Sequence, residues 1–241
     1  MARDGRVSGA DLSSAFIDGL LETGRDVIDI GAVPIPVLYF AMQELGVSSG
    51  VMVTASHMPA NVNGFRIILG GRDLPAKQIK GLYHRINNEN FLSGEGRIQK
   101  QDVRAKYIKR ILKAVDVPRK LKVVVDGGHG IAGGLAVELL TALGCDVEPL
   151  HCEVDGRFPA HLPDPSKPDN LRDLIAAVTN KQADLGIAFD GDGDRIGLVT
   201  NSGRIIWPDK LLLLFAKDLL TRSKSATIVY DVNCSRRLQG L

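Results

Sequence analysis

The sequence predicts an α/β protein assembled from tandem, related units, and three observations support this. Apolar, strand-like runs alternate along the chain with segments of helical period. The pattern Leu20-Leu21-x-x-Gly24-x-Asp26-Val27 is matched in kind by Leu139-Leu140-x-x-x-Gly144-x-Asp146-Val147, so one helix-to-strand step is used twice. The two segments richest in reactive side chains, residues 53–59 and 189–195, both adjoin apolar strands, at loop positions where functional groups are commonly displayed.

The elements follow in order. Ser8-x-x-Asp11 reads as a capping box that opens a helix through Leu20 and Leu21 to Gly24, and Val27-Ile28-Asp29-Ile30 is the next strand. Gly50-Val51-Met52-Val53 is a further apolar strand that leads into the loop bearing Ser56. The polar stretch 87–100, with Gly94 and Gly96, reads as a junction before a helix over 102–115. Lys122-Val123-Val124-Val125 is a strand, followed by a glycine-rich turn and an apolar helix. Two more apolar strands, 184–189 and 196–199, flank an acidic loop. The expected units are therefore 1–100, 101–203 and the start of a third over 204–241.

Composition sets bounds. A chain of 241 residues with 44% hydrophobic and 24% charged content suits a globular protein of about two domains. A net charge of +2 gives no nucleic-acid footprint. No apolar run is long enough for a bilayer and Met1 opens no basic-then-apolar leader, so no membrane association and a cytoplasmic location are expected. Cys145, Cys152 and Cys234 match neither a disulfide framework nor a zinc site, and read as reduced, packed thiols.

Asp190-Gly191-Asp192-Gly193-Asp194-Arg195 concentrates three carboxylates at alternate positions, a charge density that a folded loop tolerates poorly without a hard divalent cation. An EF-hand is excluded, because Arg195 and Asn201 stand where its glycine and terminal glutamate belong. Ser56 by itself reads more readily as a turn or cap serine than as a nucleophile. A hydrolase pair with His57 is disfavoured, since there is no Gly-x-Ser-x-Gly elbow and sequence neighbours usually point apart. Gly128-His129-Gly130-Ile131-Ala132-Gly133 follows a strand and precedes a helix, with Glu148 downstream. That pattern alone fits a nucleotide-binding oxidoreductase, or only a tight strand-to-helix turn in which His129 is a turn residue.

Thr54-Ala55-Ser56-His57-Met58-Pro59 and the acidic loop together resemble the phosphohexomutase superfamily, in particular its bacterial phosphomannomutase/phosphoglucomutase type. The similarity extends through residues 3–9, Asn63-Gly64-Phe65, 123–128, 154–159 and Pro163-Asp164-Pro165, and so covers essentially the whole chain. The resemblance implies three-layer α/β units with mixed sheets and makes the glycine-rich turn a family feature without a dinucleotide. It implies a phosphoserine at Ser56 and magnesium held by Asp190, Asp192 and Asp194 with an oxygen on Ser56. His57, Arg66 and Arg195 complete the catalytic set, and Arg3 and Arg6 are expected to brace the serine loop. A hexose phosphate is the implied substrate and a hexose bisphosphate the implied intermediate and activator; the oligomeric state stays open.

Three residues depart from the family pattern. Met58 replaces an asparagine, Arg66 a lysine and Asn233 a lysine. Arg66 keeps a charge suited to phosphate but is a poor proton shuttle. The resemblance also implies a chain truncated at both ends, spanning part of a first domain, a second, and the start of a sugar-binding third. On that expectation a mutase impaired by truncation leads, a non-catalytic metal- or phosphosugar-binding remnant comes second, and the oxidoreductase third.

Overall fold

The computed structural model describes residues 1–232 and 234–240. Its first half runs β1 (Ala2–Arg3), α1 (Gly9–Glu22), β2 (Val27–Asp29), α2 (Ile35–Glu44), β3 (Gly50–Val53), β4 (Phe65–Leu69), β5 (Arg72–Asp73), α3 (Ala76–Asn87) and β6 (Ile98–Lys100). The second half runs α4 (Arg104–Leu112), β7 (Lys122–Asp126), α5 (Ala132–Ala142), β8 (Asp146–Leu150), α6 (Arg172–Asn180), β9 (Leu185–Phe189), β10 (Ile196–Thr200), β11 (Ile205–Ile206) and α7 (Pro208–Arg222). Among the described residues, no helix is long and apolar enough to cross a membrane.

The sheets are mixed, as expected. One has the order β1-β3-β4-β5, parallel at β1/β3 and antiparallel beyond; β2 and β6 form a separate parallel pair. The second large sheet has the order β11-β10-β9-β7-β8, with β7 parallel to both its neighbours. Successive β7 side chains point to opposite faces, and both faces are covered. Val124 joins Leu174 and Val178 of α6, whereas Val123 and Val125 pack with Ala136 and Leu140 of α5. A three-layer unit results from this run of valines between two helices. β11 extends the sheet past residue 203 by pairing with β10.

The repeated helix-to-strand step has a local cause. Gly24 (φ 77°) and Gly144 (φ 87°) adopt the left-handed conformation that ends a helix, and Arg25 and Cys145 donate back to the carbonyls of Leu20 and Leu140 at 3.1 and 3.0 Å. The predicted capping box does not form. Ser8 is the N-cap residue but makes no side-chain cap: its backbone is already helical (φ -74°, ψ -6°) rather than extended, and its hydroxyl instead accepts from the Asn63 amide at 3.0 Å.

Residues from both halves share one core. Ile35, Leu38 and Met42 of α2 pack with Met52, Ile68, Val103 and Leu135, and Phe40 meets Tyr107 of α4 edge-on at 5.4 Å. The stretch 87–100 does not simply link the halves, since its last residues return as β6 to pair with β2. By contrast α3 buries no residue, and Ile79, Tyr83 and Ile86 lie exposed along one face.

Candidate metal and phosphoryl-transfer site

β3 delivers the chain to Thr54 and Ser56, as its apolar run predicts. Ser56 sits at φ 50°, a left-handed conformation rare outside glycine, and its amide donates to Thr54 Oγ1 at 2.9 Å. The loop is held open by Arg6, which is 1% exposed. Its Nη1 donates to the carbonyls of Pro59 (2.7 Å) and Val62 (2.8 Å), its Nη2 to those of Ser56 (2.8 Å) and Met58 (2.7 Å), and its Nε to Asp4 Oδ2 (3.1 Å). The Phe158 ring lies 5.1 Å from the guanidinium carbon. Arg6 thus braces the serine loop. Arg3 differs from expectation: its Nη1 donates to the neighbouring Asp4 carbonyl at 3.2 Å rather than to the serine loop.

The acidic loop joins β9 to β10, which pair from Phe189↔Ile196 to Leu185↔Thr200. Asp190 and Asp192 are buried (0% and 2% exposed), and each of Asp190, Asp192 and Asp194 offers an oxygen within 4.8 Å of the others. Burial, then the charges of Asp190 and Asp194, push the Asp192 carboxyl up to about 7. Asp192 Oδ1 is buried without a hydrogen-bond partner. Two helix starts face this loop: Ile35 of α2 donates to the Asp192 carbonyl (2.9 Å), and Ile131, just before α5, to that of Gly191 (3.2 Å). A divalent cation fits the residues present. The donors are all hard carboxylate oxygens, and one of them is an orphan that a cation would satisfy.

The two loops meet. Ser56 Oγ donates to Asp190 Oδ2 at 2.6 Å, and Thr54 Oγ1 lies 2.8 Å from Asp4 and 3.1 Å from Asp192. A Cβ on Gly191 would fall 2.2 Å from the Ser56 carbonyl oxygen, so only glycine permits this approach. His57 Nδ1 stands 3.3 Å from Ser56 Oγ and 2.8 Å from Arg195 Nη1. Because arginine can only donate, His57 accepts on Nδ1 and carries its proton on Nε2. Arg195 also donates its amide to Asp190 Oδ1 at 3.0 Å. Arg66 Nη1 reaches Asp194 Oδ2 at 2.8 Å while its Nε and Nη2 grip Asp73 at 3.1 and 3.2 Å.

All the predicted site residues therefore converge. Met58 is 43% exposed at the rim, and Asn233 lies outside the described residues. The sequence did not single out Thr54, Asp4, Phe158, Tyr39 or Asp73. Asp4 had a signal in Arg3-Asp4-Gly5-Arg6, whereas Tyr39 and Asp73 had none. The glycine-rich turn before α5 is occupied by the protein itself. Cβ atoms at Gly128 and Gly130 would lie 3.1 Å from Pro163 and 3.0 Å from Gly191, so these glycines serve close packing and leave no cradle for a pyrophosphate.

Known proteins share this fold. The family model for phosphoglucomutase/phosphomannomutase α/β/α domain I matches residues 1–93, and that for domain II matches residues 105–203. A phosphomannomutase/phosphoglucomutase of Pseudomonas aeruginosa is 52% identical over 241 residues, covering 100% of this chain and 52% of its own length. A phosphoglucomutase of Neisseria gonorrhoeae is 44% identical, with 99% and 52% covered. The crystal structure of a phosphoglucomutase/phosphomannomutase family protein from Burkholderia thailandensis superimposes with a TM-score of 0.95 at 47% identity, over 98% of this chain and 54% of that one. The chain thus spans about half the length of the curated relatives it matches. Family models over both halves, together with a relative 52% identical over the whole chain, place this chain in the phosphoglucomutase/phosphomannomutase family.

Proposed function

We propose that this chain carries the phosphoryl-transfer centre of a phosphohexomutase, which interconverts hexose 1- and 6-phosphates through phosphorylated Ser56 and a bisphosphate intermediate. The observation that carries the reading is the Ser56 hydroxyl, 2.6 Å from a buried aspartate of a three-carboxylate cluster. The division into a serine-loop domain (1–100), a metal-loop domain (101–203) and the start of a sugar-binding domain (204–241) belongs to the same proposal, as does cytoplasmic residence.

Magnesium is the cation proposed, held by Asp190, Asp192 and Asp194 with an oxygen on Ser56. When bound it would offset negative charge on the transferring phosphoryl group. The protein's own groups do the rest. When Ser56 accepts a phosphoryl group, the Ser56 Oγ–P bond forms and the sugar O–P bond breaks. The hydroxyl proton passes to Asp190 Oδ2 and from there to the departing sugar oxygen, since His57 Nδ1 is already engaged by Arg195. The reverse step, transfer from Ser56 to a hexose monophosphate, regenerates the bisphosphate, which reorients so that its other phosphoryl group is the one returned to Ser56. Arg195 stands beside His57 and the loop to donate to phosphate oxygens, and Arg6 keeps Ser56 in its strained, half-buried conformation.

The test is the half-reaction, because hexose turnover draws on parts of the relatives outside this span. With magnesium and a glucose or mannose 1,6-bisphosphate, peptide mapping should place phosphate on Ser56, and Ser56→Ala should abolish labelling while leaving unfolding within about 1 kcal/mol. Phosphate on a different serine would overturn the reading. Magnesium binding without any labelling would favour a non-catalytic metal- or phosphosugar-binding role.

A further inference from the structure

Arg66 reaches the acidic cluster from β4, in the other half of the molecule. One guanidinium edge is locked on Asp73 of β5 through two bonds, at 3.1 and 3.2 Å. Its remaining Nη1 meets Asp194 Oδ2 at 2.8 Å, and its carbon lies 5.8 Å from the centre of the Tyr39 ring on α2. Arginine stays protonated across the accessible pH range, so this charge is permanent. Within the cluster, Asp194 is the most exposed carboxylate (side chain 28%) and the one that a partner outside the loop can reach. Asp192, by contrast, is buried with an unpartnered oxygen. The molecule therefore already supplies one positive charge to a cluster that otherwise repels itself.

We propose that Arg66, aimed by Asp73 and Tyr39, is a built-in counter-ion that occupies Asp194 when no cation is bound, and that it competes with magnesium for that carboxylate. The inference rests on the metal reading above. Its physical basis is a trade between two positive charges. Arg66 relieves carboxylate repulsion in the metal-free protein, yet it stands about one hydrogen bond from the oxygen that a dication would share, where like charges repel. A planar fork can hold Asp73 and Asp194 together, which the single ammonium of a lysine cannot do with the same geometry. Arg66 thus acts as a positioning residue that sets how easily the loop accepts its cation.

The test is a titration with magnesium alone, by calorimetry and by thermal unfolding, on the wild-type chain, Arg66→Gln and Arg66→Lys. Arg66→Gln should bind magnesium about tenfold more tightly, as expected for removing a unit charge near a dication in a largely solvated setting. Arg66→Lys should fall between. Without magnesium, Arg66→Gln should melt below wild type, and saturating magnesium should shrink that deficit, whereas a purely structural arginine would leave it unchanged. Affinity in Arg66→Gln equal to or weaker than wild type would overturn the competition while leaving the metal site intact. A lysine variant indistinguishable from wild type would overturn the role given to the fork. No magnesium binding by any of the three would refute the metal site itself; binding by Arg66→Gln alone would support the proposal in its strongest form.

Discussion

In the serine loop a buried cation meets four backbone carbonyls and a single carboxylate. Arg6 directs its donors to four backbone carbonyls and to Asp4, which the chain brings to it from residues 56, 58, 59 and 62. In the acidic loop the balance is reversed: three carboxylates crowd together, two of them buried, and one oxygen of Asp192 has no partner. Gly191 permits the close contact between the two loops, and two helix starts face the acidic one. The comparison teaches that the first loop is complete as folded, whereas the second is left short of positive charge where a phosphoryl group would arrive. Arg195 and Arg66 supply part of that charge from the rim.

The largest expected effect comes from breaking the complete loop. Arg6→Ala should cost about 3–5 kcal/mol in urea unfolding, because it strips a buried Asp4 of its partner and leaves carbonyls unsatisfied. A loss below about 1 kcal/mol would mean that the serine loop is held by something else. Next comes the contact between the loops. Gly191→Ala should cost about 1–3 kcal/mol through overpacking against the Ser56 carbonyl, with weaker labelling of Ser56. Unchanged labelling and stability would show that the loops move apart freely.

Much of this was legible in the sequence because it was local. The strand before Ser56, the β9–β10 hairpin around the acids and the twice-used glycine cap all follow from short patterns. What was not legible depends on partners distant in sequence. The Ser8 hydroxyl satisfied the capping pattern, yet Asn63, 55 residues away, takes it. Gly128-His129-Gly130 matched a dinucleotide turn, but Gly191 and Pro163 fill the space. Nothing near Asp73 or Tyr39 announces that they aim Arg66. The apolar side of α3 would ordinarily predict a packed helix, but packing depends on what lies opposite, and a helix sequence carries no record of that.

A smaller effect distinguishes the supports of the two loops by pH. The acidic loop rests partly on Pro163, two residues from His161, whose ring contacts Asp126 at 3.1 Å and the Leu162 carbonyl at 2.9 Å. Burial opposes charge on His161, but these hydrogen bonds outweigh it and raise its pKa above the ordinary value. A raised histidine pKa contributes stability that is fully present below the unfolded value, near 6.5, and is lost as pH rises through the folded value. Unfolding free energy should therefore decline across that window in wild type, and His161→Asn should remove this contribution to the slope. A wild-type slope that persists in the variant would assign it to other groups.

The central claim is that the acidic loop is short of positive charge and is completed by a cation. The most direct measurement is thermal unfolding of wild type and Asp192→Asn with and without magnesium. Asparagine removes a buried like charge, so the account predicts that the variant melts higher than wild type in chelator. Magnesium should then raise the wild-type melting temperature and leave the variant's unchanged. A variant that is less stable than wild type in chelator, or that gains as much from magnesium, would contradict the account.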